Sequence, residues 1–199
     1  MLIVIEGCVG AGKSTVARGL AACRSSKLLL EKFESNPFLQ AFYKDPIENA
    51  TETEFAFLLL HFHQLKRESD IALRSEVIAD FHLGKDNLYA DLNLKDLRAR
   101  RLFGELYELC LEKTPRPDIL IFLSASTDTI IERIRRRERD FELDIDPSYY
   151  AVLNATYEQF FKNYSEKKLR VPMDEWDFVK DSALYERLSS LVDRELKTK

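Results

Sequence analysis

Leu2-Ile3-Val4-Ile5-Glu6 runs directly into Gly7-Cys8-Val9-Gly10-Ala11-Gly12-Lys13-Ser14, and this junction decides the fold. The first five residues are apolar without alternation, the pattern of a parallel strand buried on both faces. The next eight match G-x-x-x-x-G-K-S. Its glycines let the backbone curl so that successive N–H groups converge on phosphate oxygens. Beyond Ser14, residues Val16, Ala17, Leu20 and Ala21 share one helical face, so a helix N-terminus adds its partial positive charge. Gly7, Cys8, Val9, Gly10, Ala11, Gly12, Lys13, Ser14 and Thr15 are therefore expected to wrap a nucleoside triphosphate. Lys13 would reach the β- and γ-phosphates, and the Ser14 hydroxyl would ligate magnesium. Cys8 and Val9 would contribute backbone only, and Cys8 no redox chemistry.

Outward from this loop, strands and helices alternate. Strands are expected at Leu28–Glu31, Val77–Asp80, Ile119–Leu123 and Trp176–Val179. Helices are expected from Leu39 to Tyr43, Glu52 to about Ser69, Leu88 to about Leu111, after a cap at Ser126 or Thr127, from Pro147 to about Tyr164, and at the C-terminal end. This alternation predicts an α/β fold with a parallel five-stranded sheet covered on both faces. No repeat or linker divides residues 1–199, so one domain is expected.

Hydrophobic residues make up 45% of the 199 and charged residues 32%, which excludes a disordered chain. No apolar run approaches a bilayer span, and the short apolar start lacks the flanks of a signal peptide. A formal net charge of −4 argues against a nucleic-acid partner. Three scattered cysteines cannot build a disulfide framework, so a cytoplasmic location is expected.

The loop does not name the acceptor, because ATPases, GTPases and small-molecule kinases share it. No N-K-x-D guanine-reading stretch is present. Four further segments narrow the choice: Leu30-Glu31-Lys32-Phe33-Glu34-Ser35-Asn36-Pro37, Phe42-Tyr43-Lys44-Asp45-Pro46, Val77-Ile78-Ala79-Asp80-Phe81-His82 and Arg137-Glu138-Arg139-Asp140-Phe141-Glu142. In order and joint spacing these resemble the deoxynucleoside kinase family, from the first strand to about Phe161. The resemblance implies a three-layer P-loop kinase with an Arg-rich lid. It also implies transfer of the ATP γ-phosphoryl group to the 5′-hydroxyl of a deoxynucleoside, with ATP and Mg²⁺ bound, in a homodimer.

It implies roles as well. Glu31 is the general base, and a carboxylate at the carboxyl end of a parallel strand faces the ligand crevice. Tyr43 and Glu142 hold the sugar 3′-hydroxyl. Asp80 joins Ser14 at the metal. Arg133, Arg137 and Arg139 of the arginine cluster contact the triphosphate, with Arg137 stabilising the transferred group. Glu54 and His61, two helical turns apart, occupy the base-reading positions. The chain departs from the family at several of these. Lys32 replaces a proline and Phe81 an arginine, leaving Lys85 to supply positive charge from a loop. Glu54 and His61 replace glutamine and arginine. An ionised Glu54 would suit guanine, whose N1–H and N2–H both donate. Two other readings remain open at this point: a nucleoside monophosphate kinase, and a nucleotide-binding regulatory module without turnover.

Overall fold

The first strand, β1 (Leu2–Glu6), is buried along its whole length. Ile3 and Ile5 join one apolar cluster, whereas Leu2 and Val4 join another. The two-residue period of the strand thus feeds two separate dry layers, which is why its sequence shows no polar alternation. The structure, a computed structural model, describes residues 1–72, 74–137 and 146–198, with side chains described outside 68–72.

Four more strands, β2 (Lys27–Leu29), β3 (Val77–Ala79), β4 (Ile119–Ser124) and β5 (Lys168–Pro172), complete a sheet of order β2-β3-β1-β4-β5. All four pairings are parallel. On one face lie α1 (Lys13–Arg24), α6 (Thr127–Arg136), α7 (Pro147–Asn163) and α8 (Ala183–Lys197), packed through Leu20, Ile130, Tyr157 and Leu188. On the other lie α2 (Leu39–Lys44), α3 (Pro46–Ala72), α4 (Leu83–Asn93) and α5 (Leu97–Leu111), packed through Phe42, Leu58, Leu83 and Phe103. Each such side chain contributes about 1.5–3 kcal/mol on burial. With β1 central, the crevice at the carboxyl ends of β1 and β3 is where a ligand fits an open α/β sheet.

Several boundaries differ from the sequence expectation. The expected helix from Leu88 to Leu111 is two helices. Asp96 interrupts it, accepting the N–H groups of Arg98 and Ala99 at 2.7 and 3.1 Å as the cap of α5. Capping by a short acidic side chain overrides an apolar period that continues through the break. α4 starts at Leu83, where His82 Nδ1 accepts the Gly84 N–H, so Lys85 lies in a helical first turn rather than a loop. α3 begins at Pro46, six residues early, with the proline at the first helical position. The last strand is Lys168–Pro172, not Trp176–Val179. It is an edge strand with charged residues at alternate positions, so it carries no apolar run, whereas Trp176 and Phe178 are buried beyond it. β2 and β3 end at Leu29 and Ala79, so Glu31 and Asp80 sit just past their strands. Ser126 caps α6 by accepting the Thr129 N–H at 3.2 Å.

Candidate active site

The chain leaves β1 and enters α1 through a turn that only glycine permits. Gly7 and Gly10 have φ of 150° and 83°. A Cβ on either would lie 2.7 Å from the Leu123 carbonyl oxygen or 2.9 Å from that of Ile130. Gly12, at the start of α1, offers no side chain to the helix's first N–H groups, which stay available to an anion. Lys13 Nζ curls over the loop and donates to the carbonyls of Gly7 and Cys8 at 2.8 and 3.2 Å. Burial pulls its pKa down and nearby Lys85 adds to this, against Glu6 and Glu31. A phosphate would restore the missing counter-charge. Cys8 and Ala11 are fully buried and serve the loop through backbone alone. Burial pushes the Cys8 thiol up to about 12, so it stays protonated and inert.

Beside the loop, Arg133 donates to the carbonyls of Ala11 and Met173 at 3.1 and 2.9 Å. Arg137, at the end of α6, lines the same cleft, as does Thr15. Arg139 and Glu142 lie outside the described residues. The cleft has a volume of about 730 Å³, enough for a nucleotide and a nucleoside, and Tyr43 on α2 lines it as well.

Ser14 Oγ donates to Asp80 Oδ2 at 2.5 Å, and Asp80 Oδ1 accepts the Glu31 N–H at 2.7 Å. This is an all-oxygen donor pair at the mouth of the loop. Among the described residues no cluster of three His, Cys, Asp or Glu side chains could hold a metal. A hard cation here would complete its shell with phosphate oxygens and water, which suits magnesium.

Glu31 is the centre of a buried charge cluster. Its Oε1 accepts from Lys85 Nζ at 2.7 Å and from His61 Nε2 at 3.1 Å. Burial alone would raise its pKa, but Lys85 and then His61 outweigh that and hold the carboxyl well below the usual range. Glu31 stays an ionised acceptor lining the cleft. Lys85 thus spends its charge on Glu31. His61 does not line the cleft as a base reader would. Both its ring nitrogens face carboxylates, Glu31 on one side and Asp86 at 2.7 Å on the other, and its rings neighbour Phe57 and Phe81.

Glu54 lines the cleft from α3 and accepts from Asn93 Nδ2 on α4 at 2.7 Å. Burial pushes its carboxyl up to about 8, with Asn93 opposing and Asp86 adding. The expected ionised Glu54 is therefore corrected: a carboxyl pushed above its usual range by burial favours its protonated form, which both donates and accepts, as an amide does. Sequence reasoning missed Asp86, Asn93 and Glu6. Asp86 lines the cleft, and its Oδ2 is buried with no hydrogen-bond partner among the described residues. Glu6 clamps two turns, accepting the N–H groups of Gly7 and His82, and burial pushes its carboxyl up to about 7. Only the Glu-Gly step before the loop hinted at Glu6. Nothing in the spacing hinted at Asp86, 25 residues from His61 on another helix.

A profile of the deoxynucleoside kinase family matches residues 3–197. A deoxyguanosine kinase of Bacillus subtilis is 34% identical, with 96% of this chain and 95% of that protein aligned. A deoxyadenosine kinase of Lactobacillus acidophilus is 30% identical over 98% and 96%. Among solved structures, a deoxyadenosine kinase from M. mycoides with the products dCMP and a flexible dCDP bound superposes with a TM-score of 0.84 at 29% identity, covering 98% of this chain and all of that one. The same M. mycoides enzyme with bound dATP gives 0.83 at 29%, over 97% and 100%. Matched by the family profile over residues 3–197 and by a relative 34% identical across nearly its whole length, the chain belongs to the deoxynucleoside kinase family.

Proposed function

We propose that this enzyme phosphorylates deoxynucleosides whose base carries an exocyclic amino group, deoxyguanosine foremost, with Glu31 as the general base. The reaction is transfer of the ATP γ-phosphoryl group to the 5′-hydroxyl. The observation that carries the substrate class is Asp86 Oδ2, a buried acceptor at the cleft that calls for a donor. A protonated Glu54 supplies one donor and one acceptor beside it. Donor, acceptor and acceptor complement the O6, N1–H and N2–H edge of guanine; adenine satisfies fewer of the three. The guanine preference expected from the sequence is kept, but for a different reason.

At the other end, the loop N–H groups, Lys13 and the lid arginines Arg133 and Arg137 would hold the triphosphate. Ser14 and Asp80 would hold a magnesium ion, which when bound offsets charge on the phosphates. Glu31 lies between the ends and would accept the hydroxyl proton, while Tyr43 fixes the sugar. Arg139 and Glu142 are assigned by family resemblance to the triphosphate and the 3′-hydroxyl. Among the described residues no helix is long and apolar enough to cross a membrane. The reading includes a cytoplasmic homodimer, supported by the three free cysteines and by the exposed Leu102 and Leu109, seven residues apart on α5.

An ATP-dependent assay with deoxyguanosine and deoxyinosine tests it, since the two bases differ only in the 2-amino group. Deoxyguanosine should win in kcat/KM by on the order of 10–100-fold, the cost of leaving Asp86 unpaired. Equal turnover of both would overturn the substrate class. Turnover of deoxynucleoside monophosphates alone would overturn the acceptor.

A further inference from the structure

His61 is nearly fully buried in α3 and touches no open part of the cleft, yet it is wedged between two carboxylates. A neutral imidazole has one N–H and one lone pair. Between two acid oxygens it would turn that lone pair on one of them. With both carboxylates ionised, the imidazolium, donating through Nδ1 to Asp86 and through Nε2 to Glu31, is the form that satisfies both contacts. We propose that His61 is a positioning residue: a charged clamp, oriented by Asp86, that fixes Oε1 of Glu31 so that the carboxylate presents its second oxygen to the 5′-hydroxyl. This rests on the reading of Glu31 as the general base.

The surroundings support the charge. From α4, Asp86 and Lys85 face the cluster; Glu31 faces it from beyond β2 and Glu54 from α3 itself. Tyr107 of α5 lies toward Asp86, and Glu6 toward Lys85 and Glu31. Burial works against the His61 charge, but Asp86 and then Glu31 override it and raise the ring to about 9. Lys85 shares Oε1 with His61. Two cations of different shape thus grip one oxygen, and the flat imidazolium, backed by Phe57 and Phe81, sets the direction of the carboxylate.

The test begins on the native protein. Nitrogen-15 NMR of the His61 ring at pH 7.5 should show both nitrogens protonated; a neutral ring overturns the proposal. In steady-state kinetics, His61→Asn should lower kcat at least about tenfold while the deoxynucleoside KM stays within about threefold. Its acidic limb should move up by about one pH unit, because Glu31 loses a cation. Asp86→Asn keeps the ring but removes its anchor, so the basic limb should fall from about 9 toward the ordinary histidine value of 6.5. An increase in KM with kcat unchanged in His61→Asn would make His61 a base reader instead. In a Glu31→Gln background the His61→Asn effect should vanish; its persistence would mark a purely structural role. Native kcat in Glu31→Gln would remove the reading of Glu31 itself, whereas lost kcat there with an unaltered His61→Asn pH profile removes only the clamp.

Discussion

The two ends of the cleft are built on opposite plans. The proposed phosphate end is built around one contiguous stretch, Gly7 to Thr15, whose parts are backbone N–H groups and a lysine on its own loop carbonyls, with Arg133, Arg137 and Asp80 set around it. The acceptor end draws on the β2 exit and on α2, α3 and α4, and its parts are side chains that hold one another: Glu31 with Lys85 and His61, His61 with Asp86, Glu54 with Asn93. A contiguous site can lose a side chain without losing its scaffold. In an interlocked one, recognition, catalysis and stability share the same bonds.

Substitutions should expose this difference. Lys13→Met should cost about 10²–10³-fold in kcat, as removal of a charge-stabilising donor does. Thermal unfolding should leave the Tm unlowered, because Lys13 is a buried cation whose charge the free fold already disfavours. Lys85→Met should hurt both properties. It strands Glu31 beside His61 alone, and loss of one partner of a buried ion pair costs about 3 kcal/mol or more. That corresponds to a Tm drop of roughly 6–12 °C at this chain length. Equal Tm changes in the two variants would erase the contrast.

These differences also explain what was legible beforehand. The loop, β1, β4 and α1 could be read from sequence because their function depends on adjacent residues and on local period. Glu31, Tyr43, Asp80 and Lys85 were legible as positions, and all of them line the cleft. The roles of His61 and Glu54 were not. Asp86, 25 residues away on another helix, overrides burial and favours the charge on His61, whereas burial itself, against the bond from Asn93 39 residues away, raises the Glu54 carboxyl. The split between α4 and α5 was hidden because one acceptor atom of Asp96 outweighs a continuous apolar pattern.

Stability should also depend on pH, through Glu54, His61 and Glu31 at the acceptor end and through Glu6, which ties the phosphate loop to the turn at His82. Glu6 and Glu54 stand at about 7 and 8 against an ordinary 4.5, so the folded chain holds protons that the unfolded chain releases. Their contribution is lost as pH rises from 4.5 through those values. His61, at about 9 against 6.5, contributes fully below 6.5 and loses it as pH rises through 9. Glu31 acts oppositely, contributing above 4.5 and failing as acid protonates it. The Tm should therefore peak near pH 5 and decline to pH 9 by calorimetry, and Glu54→Gln should flatten the part between pH 4.5 and 8. A Tm flat from pH 5 to 9 would contradict the buried protons. The smallest effect is expected for Asn93→Ala. Loss of its hydrogen bond to Glu54 should lower the Tm by about 2–4 °C, for about 1 kcal/mol, and weaken deoxynucleoside binding without touching the KM for ATP.

Most direct is a measurement on Glu31→Gln that separates binding from chemistry: calorimetric affinity for deoxyguanosine beside single-turnover phosphoryl transfer from ATP. Affinity should stay within about threefold of native while the transfer rate falls by at least about 100-fold. A rate within a few-fold of native would contradict the general-base role, leaving Glu31 as one half of an ion pair and nothing more.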